Sequence, residues 1–441
     1  MTGKTNLRRL ALTLLSEYEA GGKYINLVLS SHKTDSLSGE ERAQLTALLY
    51  TAVEHKLTYD YYICALSKRS IDKIDPTTRD ILRLGLCQLL NMDAIPEFAA
   101  VNETVKLARN GGERAFVNGI LRAAARAKDA LPMPEREKNP ARYLSVFYSF
   151  PLHTVKRLIS VFGESGAEAY LRAVSRVAPS DLTVNTTKIS VADFRKKLTE
   201  AGFENQISDV SPITVRIPRS VAPREIPGYS EGEFFVQDSA CSAAISLLSL
   251  SGGEHVIDVC AAPGGKSFAA AVMMGDGGRV TSFDIHESKL SLIEGGRERL
   301  GLGSVFASVR DALSPDGSLF GKADAVICDV PCSGLGVLSK KPDLRYKDES
   351  AFSELPSLQY EILKASAKYL RVGGKLLYST CTVLPEENEE VVEKFLSENK
   401  GFQRVPFEIA GERRESGTFT FLPHVHNTDG FFVSLIEKDS L

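Results

Sequence analysis

Apolar residues recur at helical spacing through the first 130 positions. Beyond residue 233 they gather instead into short runs that alternate with helical stretches. In the front part, Leu7, Leu10, Leu14 and Leu15 share one helical face. Ser38 followed by Glu41 has capping-box order and opens a helix through Ala47, Leu48, Val53 and Leu57. Asp75-Pro76 opens another through Ile81, Leu82, Leu86 and Leu89, and Pro96 precedes Phe98, Val101 and Val105. Gly111-Gly112 interrupts before a helix over 115–127. Short connections between amphipathic helices imply antiparallel packing, so residues 1–130 are expected to form an all-α bundle.

Residues 131–144 are rich in proline and charge and read as a linker. From 145 to 232 the pattern is mixed. Val155, Leu158, Ile159 and Phe162 follow Phe150-Pro151 at helical spacing, strands are expected at 181–185 and 214–217, and a helix at 191–201. That predicts a small α+β domain.

Residues 233–441 read strand, helix, strand, helix. Apolar runs at 256–259, 279–283, 305–309, 323–328, 376–379 and 431–436 are the expected strands. Helices are expected at 286–300, 352–370 and 386–396. The class is α/β, a Rossmann-like, doubly wound and mostly parallel sheet with helices on both faces. Ligands of such sheets bind beyond the carboxyl ends of the strands.

A chain of 441 residues is too long for one ordinary core, and 43% apolar with 25% charged residues is a soluble globular composition. No run of some twenty apolar residues offers a membrane span. The N-terminal stretch reads as an amphipathic helix rather than a signal peptide. Seven cysteines, without a CxxC pair, fit free thiols in a reducing cytoplasm and no zinc site. His424-x-His426 lacks an evident third ligand and reads as a solvated loop, so no metal is expected. Nothing resembling a coiled coil demands a partner subunit, and a monomer is expected. Charge is uneven: residues 1–230 hold 32 Lys and Arg against 25 Asp and Glu, and residues 231–441 hold 21 against 31. A basic front joined to an acidic back suits a front that meets a polyanion.

Three Gly-rich motifs compete for Cys260-Ala261-Ala262-Pro263-Gly264-Gly265-Lys266-Ser267. A P-loop needs glycine where Cys260 stands, and the dinucleotide fingerprint Gly-x-Gly-x-x-Gly is absent. The glycine turn of an S-adenosylmethionine-binding sheet remains. Acids support it. Asp284 ends the second strand, where an acid can accept ribose hydroxyls, and Asp311 follows the third, where an adenine amino group would sit. Asp329 ends the fourth. A single strand-end Asp is usually a turn residue; three beyond successive strands point to a ligand.

Cys64, Cys87, Cys241 and Cys328 read as small buried hydrophobes. Cys332 differs, lying in a loop after Pro331 and before Ser333-Gly334, and Cys381 lies past a strand end between two threonines. A free thiol, of pKa about 8.5, needs a positive field to become an effective nucleophile, and Lys266 is one candidate source. Two thiols, an acid and a methyl donor suit one reaction well. A thiolate adding to C6 of cytosine makes C5 nucleophilic toward a methylsulfonium, and an acid at N3 assists.

Asp329-Val330-Pro331-Cys332-Ser333-Gly334, Ser379-Thr380-Cys381-Thr382 and Cys260 to Lys266 resemble the motifs of the Sun-type RNA cytosine-C5 methyltransferases. Gln237-Asp238 and Asp429-Gly430-Phe431-Phe432 resemble the flanks of that family's catalytic fold. Phe116-Val117-Asn118-Gly119-Ile120-Leu121-Arg122 resembles the end of a NusB-like RNA-binding domain. The whole chain is thus similar to the B-type bacterial small-subunit (16S) ribosomal RNA methyltransferases. The resemblance implies Cys381 as nucleophile, Cys332 as the thiol of product release, and Asp329 as the contact to the base. It also implies that Cys260, Ala261, Ala262, Pro263, Gly264, Gly265, Lys266, Asp284, Asp311 and Asp329 bind S-adenosylmethionine. Small-subunit ribosomal RNA is the expected partner, and Arg109, Arg114, Arg122 and Arg126 could form part of a basic face toward it. The alternative is an RNA-binding NusB-like regulator with an inactive methyltransferase domain, against which the intact thiol pair argues.

Overall fold

The computed structural model describes residues 6–21, 24–31, 37–347 and 350–440. They fall into two units, Met1–Glu168 with Lys341–Tyr346, and Ala169–Lys340 with Lys347–Leu441.

The first unit is helical: α1 Leu7–Gly21, α2 Ile25–Ser31, α3 Gly39–Glu54, α4 Lys56–Ser67, α5 Pro76–Asn91, α6 Glu97–Val105, α7 Gly111–Arg126 and α8 Pro140–Phe147. The expected caps form. Ser38 and Glu41 exchange a reciprocal capping box at the start of α3, and Asp75 caps α5. Leu14, Leu49, Val53, Ile81, Leu84 and Leu121 meet in the core. The stretch read as a linker is shorter than expected, because Asn139 caps α8 and Pro140 sits in its first turn. Proline is tolerated there because the missing N–H would have no helical partner.

A short piece from the second half of the sequence completes this unit. Arg345 is fully buried, donates to the Glu54 carbonyl at 3.1 Å and lies 4.2 Å over the Phe150 ring. Asp343 accepts from the Ile25 N–H. Helix α9, Leu152–Val174, kinks at Gly163, where φ is +70°.

In the second unit, β1 Ser180–Val184, α10 Val191–Glu200, β2 Gln206–Ile207, β3 Thr214–Ile217 and β4 Phe234–Val236 build the small α+β sheet, in strand order β2-β3-β1-β4. Asp181 faces Arg216 across β1 and β3, and the two are joined by paired hydrogen bonds of 2.6 and 2.7 Å. Helix α11, Ser239–Ser246, leads into the large sheet.

The large sheet contains β5 His255–Asp258, then α12 Gly265–Met273, β6 Arg279–Asp284, α13 Glu287–Leu300, β7 Val305–Val309 and β8 Ala323–Asp329. Next come α14 Ser350–Ser366, β9 Leu370–Thr380, α15 Glu389–Glu398 and β10 Phe402–Arg404. The hairpin β11 Phe407–Ile409 and β12 Glu412–Arg414, then β13 Thr418–Phe421, α16 Pro423–His426 and β14 Phe431–Lys438 close the chain. The order is β10-β14-β9-β8-β5-β6-β7, with β13 also on β14. Strands β5 to β9 pair in parallel, and β14 runs antiparallel to β9. Successive strand residues face opposite layers. Val256 packs in the core that holds α11 and α12, and Ile257 in the core that holds α14 and α15.

From β5 the chain winds outward through β6 to β7, then returns to β8 on the other side of β5. That reversal is the switch point at which an open α/β sheet leaves a crevice. It brings the carboxyl ends of β5, β8 and β9 side by side. The helix expected over 352–370 ends earlier, since Leu370 already begins β9.

Candidate active site

Asp329 is the last residue of β8 and stands in register with Ser379 of β9. The Ser379 hydroxyl donates to Asp329 Oδ1 at 2.7 Å. Cys332 follows β8 by three residues and Cys381 follows β9 by one, and their sulfurs lie 3.1 Å apart. Lys266, in the first turn of α12, donates from Nζ to Asp329 Oδ2 at 2.7 Å. One cluster therefore holds both loop thiols, the acid and the cation.

Electrostatics separates the cysteines. The hydrogen bond to Cys381, followed by burial, pushes the Cys332 thiol well above its usual range. Burial pushes Cys241 and Cys328 up to about 12, and raises Cys260 as well, which leaves them inert. Burial opposes the charge of Lys266, but Asp329 outweighs it and the pKa rises. The ammonium is a fixed positive charge beside the acid.

The glycine turn lies one strand over. Gly264 has φ +111°, a left-handed conformation suited to glycine, and caps α12 without a side-chain acceptor. Ala261 donates its N–H to the Phe283 carbonyl, and Ala262 donates its own to Asp284 Oδ2 at 3.2 Å. Asp284 also accepts from the His286 N–H at 2.9 Å. Asp311 stands apart, and among the described residues its carboxylate bonds only to the Leu313 N–H of its own turn. Thus the turn and Asp284 are tied together, whereas Asp311 is joined to neither.

The catalytic half, residues 245–437, matches the family described as 16S rRNA methyltransferase RsmB/F. Residues 5–126 match the NusB family, and residues 150–223 a ferredoxin-like domain of RsmF/B-like methyltransferases. The chain is 33% identical to the probable ribosomal RNA small subunit methyltransferase B of Bacillus subtilis (strain 168), covering 99% of both chains. A protein of the same name from Synechocystis is also 33% identical, over 98% of this chain and 99% of its own. The chain belongs to the ribosomal RNA small subunit methyltransferase B family. Among solved structures, PH0851 is similar at TM-score 0.77 and 25% identity, covering 99% of both chains. A methyltransferase homolog from Pyrococcus horikoshii is similar at TM-score 0.60 and 27% identity, over 68% of this chain and 99% of its own.

The cofactor of this methyltransferase is S-adenosylmethionine, and the sheet edge suits it. The start of α12 offers amides without a side-chain cap, which favours a carboxylate. A Cβ on Gly265 would stand 3.1 Å from Gln237 Nε2, so the bare backbone lies close beneath that amide. Asp258 Oδ1, at the end of β5, is buried without a partner. Asp284 and Asp311 retain acceptor lone pairs beyond β6 and β7 for ribose hydroxyls and an adenine amino group. Residues 260–266 with Asp284 and Asp311 could hold the cofactor.

Several residues of this region escaped the sequence reading. The role of Ser379, named above only as part of a motif, becomes visible once β8 and β9 are known to pair. Glu387 is fully buried, and its Oε2 accepts from the Ser333 N–H at 2.9 Å and from Gln359 Nε2 at 2.8 Å. Gln359 also donates to the Pro331 carbonyl, so the Cys332 turn is held from behind. Lys340 bridges Asp238 at 2.9 Å and Asp429 at 2.7 Å. Only the motifs containing Asp238 and Asp429 hinted at that bridge; nothing in the sequence singled out Lys340.

Proposed function

We propose that this protein methylates C5 of one cytosine in small-subunit (16S) ribosomal RNA through a covalent bond between Cys381 and C6. The observation that supports this most is the Cys332–Cys381 pair, 3.1 Å apart beside Asp329. A hydrogen bond from the Cys332 S–H to the Cys381 sulfur would favour Cys381 as the thiolate, and the two sulfurs lie within reach of one. The target base leaves its stack to reach this edge. The Cys381 sulfur adds to C6, and Asp329, in its protonated form, donates a hydrogen bond to N3 and so favours the negative charge that develops there. Lys266 and Ser379 hold the Asp329 carboxyl group in place. When bound, S-adenosylmethionine supplies a methyl group on a positively charged sulfur. C5, made nucleophilic by the adduct, would accept that methyl group as its bond to sulfur breaks, with S-adenosylhomocysteine as the leaving group.

The adduct then resolves. The C5 proton passes to water, its C–H electron pair restores the ring double bond, and the C6–S bond breaks. Cys381 departs as a thiolate, and a hydrogen bond from the Cys332 S–H, whose sulfur lies 3.1 Å away, stabilises it. The RNA class follows from the names of the full-length relatives, together with a NusB-like front domain. The test is methyl transfer from labelled cofactor to small-subunit RNA that has never been modified. Label in 5-methylcytosine at one position is expected. A folded, cofactor-binding protein that transfers nothing would instead be an RNA-binding regulator.

A further inference from the structure

Gln237 precedes α11 and is only 8% exposed. Its carbonyl end is occupied: Oε1 accepts from the Ser242 hydroxyl at 3.0 Å and lies 3.5 Å from the Thr183 hydroxyl. Those two hydroxyls are 2.6 Å apart, so they hold one end of the amide as a unit. The other end, Nε2, points at the glycine turn and would be 3.1 Å from a Cβ on Gly265. Nε2 has no hydrogen-bond partner among the described residues.

The backbone around this side chain is fixed from both sides. The Gln237 N–H donates to the Asp181 carbonyl. The next residue, Asp238, caps α11 through Oδ1. Its Oδ2 accepts from Lys340 Nζ at 2.9 Å and from the Asp429 N–H at 3.1 Å. Burial disfavours the Lys340 charge, but Asp238 and Asp429 outweigh it and hold the ammonium charged. A primary amide is thus locked in place with its acceptor satisfied and its donors aimed into the crevice. With its acceptor end taken, the donor end of this nearly buried amide is left for an acceptor in the crevice.

We propose that Gln237 Nε2 donates to the carboxylate of S-adenosylmethionine and completes an anion cradle with the first amides of α12. The inference rests on this sheet edge being the cofactor site. Nε2 can only donate, and a helix N-terminus favours an anion. At the amino-acid end of the cofactor only the carboxylate meets both demands, because the ammonium is itself a donor and a cation.

The experiment compares S-adenosylhomocysteine with its decarboxylated analogue, 5′-deoxy-5′-(3-aminopropylthio)adenosine, by calorimetric titration of the full-length protein. Gln237→Glu keeps the size of the side chain and an oxygen for Ser242, but turns an acceptor oxygen toward Gly265. It is expected to weaken S-adenosylhomocysteine about tenfold or more and to leave the decarboxylated analogue within about twofold. Gln237→Met, uncharged, is expected to show the same selectivity with a smaller loss. Thermal denaturation of each variant checks that it is folded. Equal loss for both ligands, or no loss for S-adenosylhomocysteine, overturns the proposal while the cofactor site stands. A wild-type protein that binds neither ligand overturns the site assignment, and the proposal with it.

Discussion

The sulfurs of Cys332 and Cys381 lie 3.1 Å apart although 49 residues separate them in the chain. The parallel register of β8 on β9, which sets Asp329 beside Ser379, brings about the approach. At that distance one thiol hydrogen-bonds the other, so the two share protons rather than titrating alone. Cys332→Ala removes that hydrogen-bond partner and is expected to slow iodoacetamide alkylation of Cys381 at neutral pH several-fold. Mass spectrometry of the alkylated peptides reads the effect. An unchanged rate would mean that Cys332 does not support the Cys381 thiolate.

The two thiol loops are laced together by glycines. Gly336 donates its N–H to the Cys381 carbonyl at 2.9 Å, and its own carbonyl accepts from the Gly430 N–H at 2.9 Å. A Cβ on Gly336 would collide with the Gly430 carbonyl. Gly336→Ala must therefore part the loops and is expected to cost roughly 1–3 kcal/mol of stability. Methyl transfer should fall by about 10²-fold. Affinity for S-adenosylhomocysteine, bound at the neighbouring turn, should hold. Transfer at the wild-type rate would show that this close approach is not needed.

Asp258 gives the fold a pH dependence. Burial pushes its carboxyl up to about 7, opposed by the Ser267 hydroxyl that donates to it. Its folded pKa thus exceeds its unfolded one. The protonated form favours the fold, so this contribution is complete below about pH 4 and is lost as pH rises through about 7. Urea denaturation of the cofactor-free protein at pH 5 and pH 8 is expected to show a decline on the order of a few kcal/mol. In Asp258→Asn the decline should be flatter, since that side chain is neutral throughout. Equal slopes for the two proteins would count against the assignment.

Arg122 and Arg126 are exposed on α7, whereas Arg109, of the same expected basic face, is engaged by Asp75 and Glu113. Reversing Arg122 and Arg126 to Glu should weaken binding to ribosomal RNA and lower the salt dependence by about one per lost phosphate contact. Filter binding across a salt series reads both. Cofactor affinity should not change. An unaltered salt slope would place the RNA elsewhere.

Much of this was legible in the sequence because parallel strands buried on both faces read as short apolar runs. Val256 to Val259 and Ala323 to Cys328 needed no further clue, and the acids Asp284, Asp311 and Asp329 marked the strand ends. Strand order was not legible, and with it went the Asp329–Ser379 register and the distance between the thiols. The hairpin of β11 and β12 was also missed, since three-residue strands give no alternation to detect. Arg345 gave no sign that it would be buried among the front helices, because only tertiary partners make such a burial affordable. Spacing alone left the thiols equivalent. The choice between them came from the resemblance.

The central claim is that Cys381 attacks the base and Cys332 releases it. Its most direct test incubates unmodified small-subunit RNA and cofactor with Cys332→Ala and with Cys381→Ser, followed by denaturing electrophoresis. Cys332→Ala is expected to accumulate a protein–RNA species that survives denaturant, and Cys381→Ser to form none and transfer no methyl group. An adduct with Cys381→Ser and not with Cys332→Ala would reverse the two roles and contradict the mechanism.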